Sequence, residues 1–206
     1  MEDRKFIESF ISQKDMGERR ESCLIIALQN ARILSRRDKD GNAFNIDFCE
    51  KLDGVIEFEP FIGLVNYLLV LDMLGAIFTD KKKYVGERIK GILNIYGKMK
   101  EDEQKAISKL RNCLVHNYGL ADKDKKIKFI LDSSCSVMIQ YPTKNWDGEY
   151  STKDDDATST TINPQILIEK IEEIYMKIKE EVMDGGLNHK LENIEELKAR
   201  FTIINK

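Results

Sequence analysis

The segment KLRNCLVHNYGL, residues 109–120, sets Arg111, Asn112, His116 and Tyr118 in an otherwise apolar run, in a chain with only one other histidine, His189. Histidine is the side chain that takes up and releases protons near neutral pH, and a guanidinium can grip a phosphate through two parallel hydrogen bonds. The pair therefore suits proton transfer beside a bound anion. Asn112 can orient the imidazole or bind phosphate, and is equally at home as a capping or surface residue. Tyr118 can stack on a base or donate its hydroxyl, and packing at the edge of the core is an equal alternative. Ser108 and Lys109 complete the supporting or substrate-binding set.

A helix has to position these groups. EDEQKAISKLRNCLVHNY begins with acids, as the positive end of a helix dipole favours, and runs until Gly119 stops it. At about 100° per residue its apolar stripe is Ala106, Ile107, Leu110, Cys113 and Leu114, while Ser108, Arg111, Asn112 and His116 fall on the other side. Arg111 and His116 are separated by about 7.5 Å along the axis and about 140° around it, whereas Asn112 and His116 are direct i, i+4 neighbours. The wheel predicts that the polar set faces solvent or another subunit, where truncation opens no cavity.

The rest of the chain reads as mainly α. Helices are expected at 3–12, 18–37, about 61–79, across YVGERIKGILNIYGKM, and from Pro164 to about Met183, where Gly185 and Gly186 break the pattern. A last charged helix is expected at about 188–203. Between them the period changes. IKFIL and SVMIQY alternate and are rich in β-branched or aromatic residues, which suggests a hairpin, and TSTTIN is a candidate third strand. The expected domain is 1–206 as one unit, with a β insertion at about 120–163 holding a small antiparallel hairpin or three-stranded sheet at about 127–163.

The net charge of −3 argues against a wholesale nucleic-acid binder. A local patch departs from it: Lys105, Lys109, Arg111, Lys123, Lys125, Lys126 and Lys128 against Asp122 and Asp124 give about +5 around the motif. Cys23, Cys49, Cys113 and Cys135 lie far apart, with no C-x-x-C pair and no histidine at ligand spacing, so reduced thiols are expected, with no zinc site and no disulfide framework. MEDRKFIESF lacks the apolar core of a signal peptide, which points to the cytoplasm. FIGLVNYLLVLDMLGAIF, residues 61–78, approaches the length of a membrane span, but Asn66 and Asp72 interrupt it. A mid-span Asp costs about 3 kcal/mol, so a helix buried in a soluble core or dimer interface is preferred.

Other candidates carry less. His189 follows a Gly-Gly break and suits a solvated or capping role. Asp154, Asp155 and Asp156 form an acidic run without the convergent ligands a metal needs, and Trp146 fits recognition and loop anchoring equally well. P-loop, Rossmann glycine pattern and nucleophile elbow are all missing, so no cofactor is expected.

RNCLVHNY resembles the signature of the HEPN family, an Arg followed by a polar residue and, four to six residues on, a His, near the end of a helix in a small antiparallel helical bundle. Arg111-Asn112, His116 and Tyr118 fit the form Arg-Asn-x-x-x-His-x-Tyr of the toxin branch that pairs with minimal nucleotidyltransferases. The resemblance covers about eight residues, and the insertion at 120–163 departs from the most compact members. It implies a metal-independent endoribonuclease, a toxin or defence protein, whose two motifs meet across a homodimer. Arg111 and His116 would be catalytic and RNA the substrate. It also implies that Tyr118 stands where a nucleotidyltransferase antitoxin would attach a nucleotide. RNA cleavage without metal needs a base for the 2′-OH proton, an acid for the leaving oxygen and positive charge at phosphorus, and two copies of an Arg–His pair would supply all three. Two rival readings remain: a non-catalytic HEPN dimerisation, partner- or nucleotide-binding module, and an unrelated helical scaffold.

Overall fold

The computed structural model describes residues 2–17, 20–43, 59–79, 84–116, 119–150, 155–186 and 194–204. Its order is α1 (Glu2–Ser12), β1 (Arg20–Ser22), α2 (Cys23–Leu34), α3 (Glu59–Phe78), α4 (Val85–Ile95), α5 (Glu101–His116), β2 (Ala121–Asp122), β3 (Ile127–Leu131), β4 (Ile139–Gln140), α6 (Asp155–Thr158), β5 (Thr160–Ile162), α7 (Pro164–Met183), α8 (Ile194–Phe201) and β6 (Thr202–Ile204). The protein is mainly helical, as its periodicity predicts.

A helix that is apolar all round belongs at the centre, and α3 is such a helix. By length and composition Phe61–Phe78 could cross a membrane. Here α2, α4, α5 and α7 pack against it, and Leu64, Tyr67, Leu68, Leu71, Leu74 and Phe78 are fully buried. The strongest apolar residues of α3 thus fill the core of one chain. A narrower half-exposed stripe, Val65, Leu69, Met73 and Ala76, remains beside Asp72.

Two polar devices fix the helices around α3. Arg32 of α2 grips Glu172 of α7 with both ends of its fork, Nε to Oε1 at 2.8 Å and Nη2 to Oε2 at 2.6 Å, and Tyr67 of α3 donates its hydroxyl to the same Oε1. Burial, and then the neighbouring carboxylate, push the Tyr67 phenol well above its usual pKa. The second device is a close crossing. A Cβ on Gly75 would lie 2.5 Å from the Arg88 carbonyl oxygen, so glycine lets α3 and α4 touch backbone to backbone there.

Helix ends follow the chemistry of their sequences. Ser22 caps α2 by accepting from the Ile25 N–H, so this helix begins at Cys23 and the residues just before it form β1 rather than the helical turn expected from 18. Asn163 caps α7 and Pro164 opens it, while Gly185, at φ +79°, turns the chain after it. The last helix ends earlier than expected, because Thr202–Ile204 leave it to pair antiparallel with Arg20–Ser22, and the expected start at 188–193 lies outside the described residues.

The insertion corrects the predicted hairpin. IKFIL and the IQ of SVMIQY lie in one four-stranded sheet of order β2-β3-β5-β4, with β5 between them. β3 runs parallel to β5, with Phe129 opposite Thr160, and β4 runs antiparallel to it, with Ile139 opposite Ile162. Fully buried Ile162 explains the central place of β5. Asn163 directs the chain round it by donating Nδ2 to the Ser133 and Cys135 carbonyls and its backbone N–H to that of Met138. The true hairpin is β2–β3, closed across residues 123–126.

Candidate active site at the end of α5

Helix α5 carries Glu101, Asp102 and Glu103 in its first turn and His116 in its last. After it, the Gly119 N–H closes on the Cys113 carbonyl at 3.3 Å, and β3 ties in through the Phe129 N–H to the Leu120 carbonyl at 2.7 Å. The chain thus passes straight from the end of α5 into the sheet.

The expected apolar stripe is buried, but it is not the whole buried face. Gln104, Ser108 and Arg111, spaced i, i+4 and i+7, form a second buried row that faces α4 and α3. Gln104 reaches the Met99 carbonyl at 2.7 Å and Asn94 of α4 at 3.5 Å, and a Cβ on Gly86 of α4 would come within 2.9 Å of Ser108 Oγ. Arg111 is only 6% exposed. Its predicted solvent-facing position is therefore wrong, and so is that of Ser108: α5 is covered on two sides, by the other helices and by the sheet.

Arg111 turns inward because a carboxylate waits for it. Its Nη2 donates to Asp72 Oδ2 of α3 at 3.1 Å, its Nη1 stands 3.0 Å from His116 Nε2, and the same Nη1 donates to Asn112 Oδ1 at 3.4 Å. One guanidinium so joins the half-buried carboxylate to the exposed imidazole. Since guanidinium nitrogens only donate, the contact makes Nε2 the acceptor and leaves the ring proton of a neutral imidazole on Nδ1. Burial raises the Asp72 carboxyl above the usual range, against the opposing pull of Arg111, Arg88 and Arg200. Three guanidiniums from α4, α5 and α8 thus act on one carboxylate.

Of the residues singled out in the sequence, Arg111, Asn112 and His116 come together. Ser108 and Lys109 do not: the first lies under α4, and the second is exposed and lines the cleft between α5 and the sheet. Tyr118, His189 and Asp154 lie outside the described residues. Asp156 is exposed, and Trp146 is buried, with Nε1–H donating to the Glu149 carbonyl at 2.9 Å, which is the anchoring role. Among the described residues no group of three or more His, Cys, Asp or Glu side chains could hold a metal ion. Asp72 is the residue the motif does not contain, and its signal was a lone carboxylate in an apolar helix. Such a group is buried only with a cation to meet it.

Compared with known proteins, the chain matches no family model, no curated sequence and no solved structure at a significant level.

Proposed function

We propose that the protein is a HEPN-type, metal-independent endoribonuclease, a toxin or defence protein that cleaves RNA at a composite site across a homodimer. The observation that carries this reading is the 3.0 Å contact between Arg111 Nη1 and His116 Nε2, with the guanidinium held from behind by Asp72. In such a site the Arg111 Nη1 turns from His116 Nε2 onto the phosphoryl oxygen, and the freed Nε2 of one His116 takes the 2′-OH proton as the 2′ oxygen attacks phosphorus. The bond to the 5′ oxygen breaks, and the second subunit's imidazolium protonates that leaving oxygen, which yields a cyclic phosphate and a 5′-hydroxyl end. Arg111 stabilises the charge that builds on the phosphoryl oxygens. Asp72 is a positioning residue in this scheme. The half-exposed stripe of α3 beside it, Val65, Leu69, Met73 and Ala76, suits the dimer contact. In the toxin reading a minimal nucleotidyltransferase is the antitoxin and Tyr118 the group it modifies.

The test is cleavage of single-stranded RNA in chelator by wild type and His116→Ala, with thermal melts alongside. Wild type should cut, and the variant should lose about 100- to 10,000-fold of the rate with its melting temperature kept, since His116 is exposed. A second reading is favoured by the burial of Arg111, which suits a structural ion pair in a non-catalytic HEPN dimerisation or binding module. Wild type that degrades no RNA under any condition would decide for that reading.

A further inference from the structure

A cleft of about 670 Å³ opens between α5 and the sheet. Lys105 and Lys109 enter it from α5, Lys126 and Lys128 from the β2–β3 hairpin, and Tyr141 and Trp146 from the loops beyond β4. Its charge is unevenly committed. Lys105 is held by Glu101 at 2.8 Å and Asp102 at 3.8 Å, and Asp102 and Asp147 also stand in the wall. Lys109 and Lys126 make no ion pair among the described residues, and Lys128 Nζ lies over the Trp146 ring at 5.9 Å. Tyr141 is 46% exposed, a ring open to a stacking partner, whereas Trp146 is buried and stiffens the wall. Cations beside one accessible aromatic ring are what a flexible phosphodiester chain requires of a surface.

The helix links this cleft to the candidate site. Lys109 and His116 are about 10 Å apart along α5 and within about 20° of the same face, with half-buried Asn112 between them. We infer that the cleft between α5 and the inserted sheet is the seat of single-stranded RNA, with phosphates on Lys109 and Lys126 and a base on Tyr141, so that the strand leads along α5 to His116. This rests on the ribonuclease reading for the identity of the polyanion, and it gives the β insertion a task.

The experiment measures binding apart from cleavage. Fluorescein-labelled single-stranded RNA with 2′-O-methyl groups, which cannot be cut through its 2′ oxygens, is titrated with the full chain over a salt series and followed by anisotropy. Lys109→Ala/Lys126→Ala should weaken binding and reduce the slope of log affinity against log salt by about 1.4, about 0.7 for each phosphate no longer neutralised. Tyr141→Ala should weaken binding about 5- to 150-fold. Lys170→Ala/Lys177→Ala on α7, whose lysines pair with Glu173, should bind as wild type does. Cleft variants that keep wild-type affinity and slope, an α7 control that weakens equally, or wild type that fails to bind at low salt would each overturn the inference. In those cases the ribonuclease reading is judged separately, by cleavage of unmodified RNA. Binding through the cleft without any cleavage would sink the enzyme and leave the RNA seat standing.

Discussion

Replacing Arg111 with Ala tests the site and the fold together. On an exposed helix face the change would cost within about 0.5 kcal/mol, which for a chain of this size moves the melting temperature by about 1–2 °C. In the structure the Arg111 and Asp72 side chains are 7% and 16% exposed and meet at 3.1 Å. Removing one partner of a buried pair costs about 3–5 kcal/mol, because the remaining charge stays desolvated. The low end applies here, since Arg88 and Arg200 still act on Asp72 and the carboxyl can neutralise itself by taking a proton. About 3 kcal/mol corresponds to a fall of roughly 6–12 °C at neutral pH.

The same reasoning fixes a pH dependence. Burial already holds the folded Asp72 carboxyl above its unfolded value, and losing Arg111 raises it further. A raised folded pKa means that the proton stabilises the fold. That contribution is full below the unfolded value of about 3.9 and is lost as pH rises through the folded value. The variant loses it at higher pH than wild type, so its deficit should be widest at neutral pH and narrow toward pH 5. Circular-dichroism melts of wild type, Arg111→Ala and Arg111→Ala/Asp72→Ala at both pH values measure this, and the double variant should recover part of the loss because no orphan charge remains. A melting temperature within about 2 °C of wild type at neutral pH, or a deficit of equal size at pH 5, refutes the buried-pair account.

Four shorter expectations follow. Arg111→Lys keeps a charge for Asp72 but cannot bridge the carboxylate and the imidazole at once, so it should melt above Arg111→Ala while, under the proposed ribonuclease reading, RNA cleavage stays at the Ala level; restored cleavage would show that the fork is not needed. Glu172→Ala orphans Arg32 and the Tyr67 hydroxyl and should cost about 3–5 kcal/mol, and a denaturant midpoint close to wild type would exclude this. Gly75→Ala forces a Cβ to within 2.5 Å of the Arg88 carbonyl oxygen, and the separation of α3 and α4 should cost about 1–3 kcal/mol in thermal melts, with an unchanged melt counting against the crossing. Burial pushes the Cys113 thiol up, so in the native protein it should react with an aromatic disulfide far more slowly than half-buried Cys135, as peptide mapping would resolve; equal rates would refute its burial.

The helices were legible because burial on one face leaves a 3.6-residue imprint, as in α4, α5 and α7, and because caps and stops such as Pro164, Gly119 and Gly185 mark their ends. Strand pairing was not. Alternation in IKFIL and SVMIQY reports two extended segments but not which lie side by side, and the choice was made by Ile162 seeking the core and by Asn163 pinning the loop, both outside those segments. The short β1–β6 pair joins residues some 180 positions apart, beyond any local pattern.

The site was legible by type and not by environment. Residue identity and spacing mark Arg111, Asn112 and His116 as a group, but a wheel built on apolar residues assigns every polar residue to the outside. Arg111 breaks that rule because the identity of its partner matters more than its own polarity. A guanidinium can be buried where a carboxylate from another helix meets it, and Asp72 was visible in the sequence as a charge with no reason to sit in an apolar helix. The consequence reaches function. A buried arginine held by a half-buried carboxylate gives up solvent freedom for a fixed direction, and that direction ends on His116 Nε2. Loss of Arg111 therefore weakens fold and site at once, and only substitutions that spare the pair, at His116 or in the cleft, read the chemistry alone.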